Sequence, residues 1–157
     1  MSVRLIFRVV DDLLRSGALG CGGDCGGYGI SLEAGQDNVI EGNSVSRTTT
    51  DGIRVASFIP ELPTTGNRVT GAAGDGIGVA TTGDGPVAGT VVTGNLVFGS
   101  TGDGIHIAAP ATTVMRNVTV RSTGYGIEAT AGVHDGGGNV AAANGPPARC
   151  VNVRCLP

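Results

Sequence analysis

Two sequence markers recur along the chain in a fixed phase, and this regularity constrains the fold more than any other feature. The first marker is a Gly-Ile pair, found at Gly29-Ile30, Gly52-Ile53, Gly76-Ile77, Gly104-Ile105 and Gly126-Ile127. The second is an asparagine, found at Asn43, Asn67, Asn95, Asn117 and Asn139. Each of the first four asparagines is followed by the next isoleucine after 10 residues, whereas the distance from isoleucine to asparagine varies from 12 to 18. Such self-similarity is typical of stacked repeats in which one side is constant and the other accepts insertions.

Short alternating segments accompany both markers. Each isoleucine opens a triplet such as Ile53-Arg54-Val55, and each asparagine precedes another, such as Asn67-Arg68-Val69. A third segment precedes the asparagine in some repeats, as at Val91-Val92. Alternation with a period of two indicates strands with one buried face. The chain is therefore predicted to be all-β, a right-handed parallel β-helix (solenoid) of about five coils of 22–28 residues. We expect residues 1–27 to form a non-repeat cap and residues 28–157 the repeat domain.

Composition agrees with this fold and excludes several function classes. Glycine accounts for 29 of 157 residues and tryptophan is absent, so the core must consist of small aliphatic layers joined by tight turns. Leucine-rich repeats need several leucines per repeat, and calcium-binding rolls have a period of nine residues. All ten basic residues are arginines, and they are scattered, so we expect no nucleic-acid partner. No apolar run reaches the ~18 residues of a spanning helix, so we also expect no membrane partner.

The N-terminal segment shows a different pattern. Val3, Ile6, Val10 and Leu13 fall on one helical face, which predicts a short helix capping the end of the solenoid. Charged residues interrupt the apolar stretch, so this segment is a poor signal peptide. We expect the chain to be a fragment of a longer protein, with an intracellular protein as the alternative.

The asparagine column has a structural interpretation. Equivalent residues in successive coils lie about 4.8 Å apart. An asparagine at a tight turn can adopt the left-handed conformation, and its side-chain amide can donate to the carbonyl of the asparagine stacked on it. The five asparagines are predicted to form a stabilising ladder rather than a ligand site.

The DGI/YGI and GN-x-V markers resemble those of the right-handed β-helix repeat proteins. This pectate-lyase-like group includes carbohydrate-binding proteins and sugar hydrolases. The resemblance extends from residue 28 to about residue 155. It implies polysaccharide as partner and an extracellular or cell-surface location, but the fold also carries lyases, epimerases, tailspikes and adhesins.

Two polar columns flank the isoleucine strands. The residues before the Gly-Ile pairs are Tyr28, Asp51, Asp75, Asp103 and Tyr125. The outward residues of the strands are Ser31, Arg54, Gly78, His106 and Glu128. We expect the ligand-binding residues to be Asp51, Asp75, Asp103, Arg54 and His106. Stacked carboxylates repel unless they are solvated or bridged by a cation, so a calcium ion at Asp75 and Asp103 is one expectation. Ordinary Asp-Gly turn chemistry on a solvated face is the alternative.

Catalytic residues are not identified by the sequence. The polygalacturonase signatures Asn-Thr-Asp, Gly-His-Gly and Arg-Ile-Lys are absent, as is the Asp-Pro-His-Glu of alginate epimerases. His134-Asp135 precedes three glycines and is predicted to form a turn. The hypothesis is an extracellular module that binds polysaccharide. One alternative is a fragment of a polysaccharide lyase or glycoside hydrolase using Asp75, Asp103 and His106; another is a spike or adhesin segment associating end to end.

Four cysteines form two local pairs, Cys21 with Cys25 and Cys150 with Cys155. The pairs flank opposite ends of the stack, about 20 Å or more apart, which excludes a shared zinc site. Two local disulfides are predicted, which implies an oxidising compartment. Reduced, buried cysteines are the alternative.

Overall fold

A computed structural model describes residues 6–7, 27–33, 38–56, 61–81, 87, 89–146 and 149–157. The described residues form a parallel β-helix, as the repeat pattern predicts. Each of the five complete coils contributes one strand to each of three sheets, and every sheet has six strands paired in parallel. No helix among these residues is long and apolar enough to span a membrane.

The first sheet contains the isoleucine strands. Its members are β2 (Ile30–Leu32), β5 (Ile53–Ala56), β8 (Ile77–Ala80), β11 (Ile105–Ala108), β14 (Ile127–Ala129) and β17 (Cys150–Val151). The five isoleucines pair in register from coil to coil and are at most 1 % exposed. They form one continuous column of the core, which explains the invariance of this marker.

The other two sheets complete each coil. The second sheet contains β1 (Ile6–Phe7), β3 (Val39–Glu41), β6 (Pro63–Thr65), β9 (Val91–Thr93), β12 (Thr113–Met115) and β15 (His134–Gly137). The third contains β4 (Ser44–Ser46), β7 (Arg68–Thr70), β10 (Leu96–Phe98), β13 (Val118–Val120), β16 (Asn139–Ala142) and β18 (Cys155–Leu156). Their inward residues, such as Ile40, Val69, Val92 and Val97, are buried against the isoleucine column.

The asparagines form a continuous hydrogen-bonded column between the second and third sheets. The Nδ2 atom of each of the first four donates to Oδ1 of the asparagine in the next coil at 2.9–3.2 Å. The backbone N–H of the same residue donates to that Oδ1 at 2.9–3.1 Å. In Asn95 the second Nδ2 proton goes to the carbonyl of Thr64 at 2.9 Å. The amide is thereby fully paired inside the solenoid.

The left-handed conformation lies one residue earlier than expected. The prediction that the asparagines themselves adopt it is wrong. Positive φ angles occur at the residues just before them, namely Gly42, Gly66, Gly94, Arg116 and Gly138. The asparagine side chain must point along the stack to reach its neighbour, so the preceding residue turns the corner. Glycine occupies four of these five positions because it tolerates positive φ without steric cost.

Two local predictions are also wrong. Ile6–Phe7 forms a strand paired in parallel with Val39 and Ile40, not part of a capping helix; the rest of that predicted helix lies outside the described residues. His134–Gly137 forms strand β15 rather than a turn, with a register shift opposite Val114 and Met115. A parallel neighbour supplies hydrogen bonds that local glycine content does not reveal.

A disulfide joins the last strands of two sheets. Cys150 in β17 and Cys155 in β18 are bonded, with their Cα atoms 6.0 Å apart. The bond fastens the C-terminal coil, which has no strand in the second sheet within the described residues. Cys21 and Cys25 lie outside the described part of the chain.

Candidate functional site

The aspartate column is a second hydrogen-bonded ladder, and it uses one oxygen of each carboxylate. Oδ1 of Asp51 accepts the backbone N–H of Asp75 at 2.9 Å, and Oδ1 of Asp75 accepts that of Asp103 at 2.8 Å. Oδ1 of Asp103 accepts the N–H of Tyr125 at 2.6 Å. The Oδ1 atoms therefore hold the coils together, as turn chemistry would. The Oδ2 atoms take no part in these backbone bonds and remain available for contacts at the surface of the first sheet.

Glycines beside this column make room for the carboxylates. A Cβ atom at Gly74, Gly102 or Gly124 would collide with Oδ1 of the aspartate in the preceding coil. The residue before each Asp or Tyr of the next coil must therefore lack a side chain. This contact explains the Gly-Asp-Gly-Ile form of the repeat.

His106 lies between two aspartates on the outer face of the first sheet. Its Nδ1 atom is 3.2 Å from Oδ2 of Asp75 and 3.9 Å from Oδ2 of Asp103. The imidazole is 41 % exposed, whereas the side chain of Asp103 is 11 % exposed. His106 pairs in register with Gly78 on one side and Glu128 on the other. The first sheet thus brings together the histidine and two of the three predicted aspartates.

A pocket of about 220 Å³ opens beside His106. Its lining comes from consecutive coils: Asp51, Arg54, Asp75, Gly78, Val79, Ala80, His106 and Ala108. Gly78 forms part of the floor, and a Cβ atom there would lie 3.2 Å from Oδ2 of Asp51. The missing side chain keeps this space open. Four of the five predicted ligand residues line the pocket; the fifth, Asp103, does not, although its Oδ2 lies 3.9 Å from Nδ1 of His106.

Arg54 lies at the pocket wall against an aromatic ring, that of Tyr28, which is not among the predicted ligand residues. Its guanidinium carbon lies 5.1 Å from the centre of the Tyr28 ring, a cation–π geometry. Tyr28 occupies the same column as the aspartates, and this position in the repeat is the sequence feature that could have assigned it to the site. Ser31, which the alternation placed outward beside Arg54, is only 3 % exposed and does not contribute a surface group.

The pKa values of three groups depart from their ordinary range. Burial raises the pKa of Asp103 to about 6; the carboxylates of Glu128 and Asp75 add to this effect, and the N–H of Tyr125 opposes it. Burial also raises the pKa of Asp51. The hydrogen bond to Asp75 raises the pKa of His106. Proximity of several carboxylates makes this face acidic and favours a protonated imidazole.

The same residues present a group of possible metal ligands. One ligand atom each from Asp75, Asp103 and His106 can be chosen so that all lie within 4.8 Å of one another. Two carboxylate oxygens and one imidazole nitrogen form a donor set that suits divalent transition metals. Of the described part of the chain, this is the only cluster of three such side chains.

Comparisons with known proteins agree with the fold. The family described as periplasmic copper-binding protein (NosD) matches residues 24–139. A crystal structure of a double mutant of the periplasmic alginate epimerase AlgG superposes with a TM-score of 0.53 at 17 % identity, covering 74 % of this chain and 33 % of that one. A single-mutant structure of the same epimerase gives 0.48 at 16 % identity, over 65 % and 29 %.

The epimerase likeness concerns the fold alone, and the chain spans about a third of that protein. Curated proteins give no significant match. The family match covers most of the chain, from the beginning of the first described coil to the last asparagine of the ladder. This chain is therefore a member of the NosD family of β-helix proteins.

Proposed function

We propose that this chain is a cell-envelope β-helix module that binds a polysaccharide on the outer face of the first sheet. The observation that carries the proposal is the pocket above Gly78, in which carboxylate acceptors and the guanidinium of Arg54 meet around an open floor. The NosD and AlgG names both describe periplasmic proteins, which supports an envelope location. The disulfide of the last coil agrees with an oxidising compartment.

The dimensions of the pocket suit one sugar ring. Pockets for drug-sized ligands measure roughly 300–1,000 Å³, and this one, at about 220 Å³, is smaller and open to the surface. Its polar groups are planar: Asp51 and Asp75 can accept hydrogen bonds from hydroxyls, and Arg54 can donate a pair in one plane. A longer glycan would extend from the pocket along the stacked coils.

Charge limits which glycan the site accepts. Asp51, Asp75, Asp103 and Glu128 outnumber the two cationic side chains, Arg54 and His106, on this face. A uronate chain would be repelled unless a cation reverses the local sign. A neutral glycan should bind directly, and an acidic glycan only with a bridging ion such as calcium.

The test is glycan binding by the whole chain, measured by titration with one neutral and one uronate polysaccharide, each with calcium and with chelator. Gly78→Val fills the pocket and should abolish binding. Ser46→Val, on an exposed strand position of the third sheet, is the matched control and should bind normally. Binding unaffected by Gly78→Val would overturn the proposal. Release of shortened products by the wild type, lost in His106→Gln, would instead favour the lyase or hydrolase alternative.

A second candidate function is divalent metal binding at Asp75, Asp103 and His106, favoured by the convergence of their ligand atoms. The family name mentions copper, and the donor set fits Cu²⁺, which accepts imidazole and carboxylate ligands. It does not fit Cu⁺, since the cluster contains no thiolate or thioether. Calcium prefers six to eight oxygens, so it would need oxygens from the glycan as well.

Metal binding has a readout independent of any activity. Titration of Cu²⁺ should give a saturable one-site absorbance or resonance signal, which Asp75→Asn/Asp103→Asn should remove. The control is Asp135→Asn, an exposed carboxylate outside the first sheet. A signal equal in wild type and double variant would exclude this cluster as the site.

A further inference from the structure

The outer face of the third sheet changes from polar to apolar along the solenoid. Its first two strands present Ser44, Ser46, Arg68 and Thr70. The next four present only apolar side chains, in two columns in register. We call these the apolar strip: Leu96, Val118, Val140 and Leu156 in one column, with Phe98, Val120 and Ala142 in the other.

The apolar strip is open to solvent in the described structure. Phe98 is 37 % and Leu156 61 % exposed, the two exposed large hydrophobic residues of the described chain. The other members are partly exposed. A contiguous exposed apolar surface usually marks a contact with a partner or a membrane. The two columns run side by side over four consecutive strands, so the strip forms one continuous surface.

Arginines border the strip on several sides. Arg68 is the register neighbour of Leu96 in the preceding coil. Arg116 and Arg154 lie at the corners where the chain enters the third sheet. Arg121 lies at the corner where the chain leaves that sheet, and its guanidinium is 5.5 Å from the centre of the Phe98 ring. These four of the ten arginines are all exposed. In a chain of net charge −3, they make this face locally basic.

Few carboxylates lie near this border, and the nearby one is already hydrogen-bonded. None of the six strands of the third sheet contains Asp or Glu. The nearby carboxylate of Asp135 accepts backbone N–H groups from Gly137 and Arg154, both at 2.9 Å. The border of the strip therefore carries an excess of one sign.

We propose that the apolar strip docks on an anionic lipid surface. Apolar side chains would enter the interfacial region of the bilayer, and the arginines would contact lipid phosphates. A symmetric dimer through this face is disfavoured, because an isologous contact brings the same arginines of both copies together. The border of a contact with a protein partner would normally carry both signs of charge. The border of the apolar strip carries mainly arginines, so its partner must present mainly negative charge.

This docking would leave the pocket of the first sheet free, so it stands independently of the proposed function. The sequence predicts no membrane partner because it has no spanning segment; a surface contact of this kind needs none. The lipid contact is peripheral and reversible.

The experiment is flotation of the full chain with vesicles of phosphatidylcholine alone and with added phosphatidylglycerol. Binding should require the anionic lipid and fall with rising salt. Arg116→Gln/Arg121→Gln should weaken binding about 25-fold, at roughly fivefold per arginine. Arg47→Gln, at the same kind of exposed left-handed corner beside the polar end of the sheet, is the matched control and should bind as the wild type does.

Phe98→Ser/Leu156→Ser should weaken vesicle binding on the order of tenfold or more, with an unchanged circular dichroism spectrum as the folding check. Equal binding to neutral and anionic vesicles, or none to either, would overturn the proposal. Light scattering supplies a second outcome: if the apolar variants dissociate an oligomer while vesicle binding is absent, the strip is a protein contact instead.

Discussion

The Nδ1 atom of His106 lies 3.2 Å from Oδ2 of Asp75, a residue 31 positions earlier in the chain. The repeat creates this contact, because the aspartate column and the outward strand column run side by side through successive coils. Oδ1 of the same carboxylate is hydrogen-bonded to the backbone of Asp103. Asp75 therefore stabilises the solenoid with one oxygen and orients a surface imidazole with the other.

Acidification should stabilise the site. Between its unfolded pKa of 3.8 and its folded pKa of about 6, Asp103 binds more protons in the native state, so its contribution to stability falls as pH rises through that window. The raised pKa of His106 acts in the same direction at higher pH: its contribution is present below the unfolded value and is lost as pH rises through the folded value.

Urea denaturation from pH 4 to pH 8 measures this effect. The free energy of unfolding of wild type relative to Asp103→Asn should decrease with pH across the 3.8–6 window. The asparagine retains an oxygen for the N–H of Tyr125, so the variant isolates the titration. A difference that is constant with pH, or that increases, would contradict the assignment.

The asparagine ladder should carry stability in the middle of the stack. Asn95→Ala removes the acceptor of two donors from Asn67 and leaves the carbonyl of Thr64 without its amide, so it should cost about 1–3 kcal/mol. Asn139→Ala should cost less stability, because no asparagine follows Asn139 in the ladder. Asn152→Gly is the control, because Asn152 is exposed and makes a single bond to Ala129, and glycine tolerates its left-handed backbone. Equal and negligible losses at Asn95 and Asn152 in urea denaturation would refute the ladder's contribution.

The glycines before Asp75 and Asp103 should be intolerant of a side chain. Gly102→Ala places a methyl group where Oδ1 of Asp75 lies, and such overpacking costs about 1–3 kcal/mol. Gly78→Ala is the matched control, since its nearest neighbour would be Oδ2 of Asp51 at 3.2 Å on the open pocket side. Thermal unfolding of both variants should show the larger loss for Gly102→Ala; the reverse order would show that the Oδ1 contacts are not tight in solution.

The Cys150–Cys155 disulfide should stabilise mainly the last coil. Chain-entropy arguments give about 2 kcal/mol for so short a loop, whose two cysteines are five positions apart in the sequence. Cys150→Ser/Cys155→Ser should increase amide exchange at Val140 and Glu128, whose strands pair with the last coil, more than at Val69. Peptide mapping without reductant should recover the local Cys150–Cys155 crosslink; a Cys150 crosslink to Cys21 would contradict separated ends.

The fold could be predicted from the sequence because its determinants repeat. The 10-residue interval from asparagine to isoleucine marks the constant part of each coil, and equivalent positions in successive coils place His106 near Asp75 and Asp103. Local composition was a weaker guide: glycines after His134 suggested a turn, yet pairing with β12 makes a strand.

Other features depend on neighbours that a single repeat does not reveal. The corner before each asparagine is left-handed even at Arg116, where side-chain type gives no signal. Tyr28 joined the site through a ring contact with Arg54 from the next coil. The outward residues Leu96, Phe98, Val118 and Val120 alternate with inward residues that are also apolar or small. The sequence of these strands therefore does not distinguish an apolar outer face from the buried one.

The most direct test of the proposed function is a map of amide chemical shifts in the ¹⁵N-labelled chain during titration with an oligosaccharide that it binds. The account predicts saturable shifts concentrated at Arg54, Gly78 and His106, with weaker shifts at Asp51 and Asp75. It predicts no shifts along the asparagine ladder, which is buried in the solenoid. Shifts centred on another sheet, or a spectrum unchanged at saturating glycan, would contradict a polysaccharide site on the first sheet.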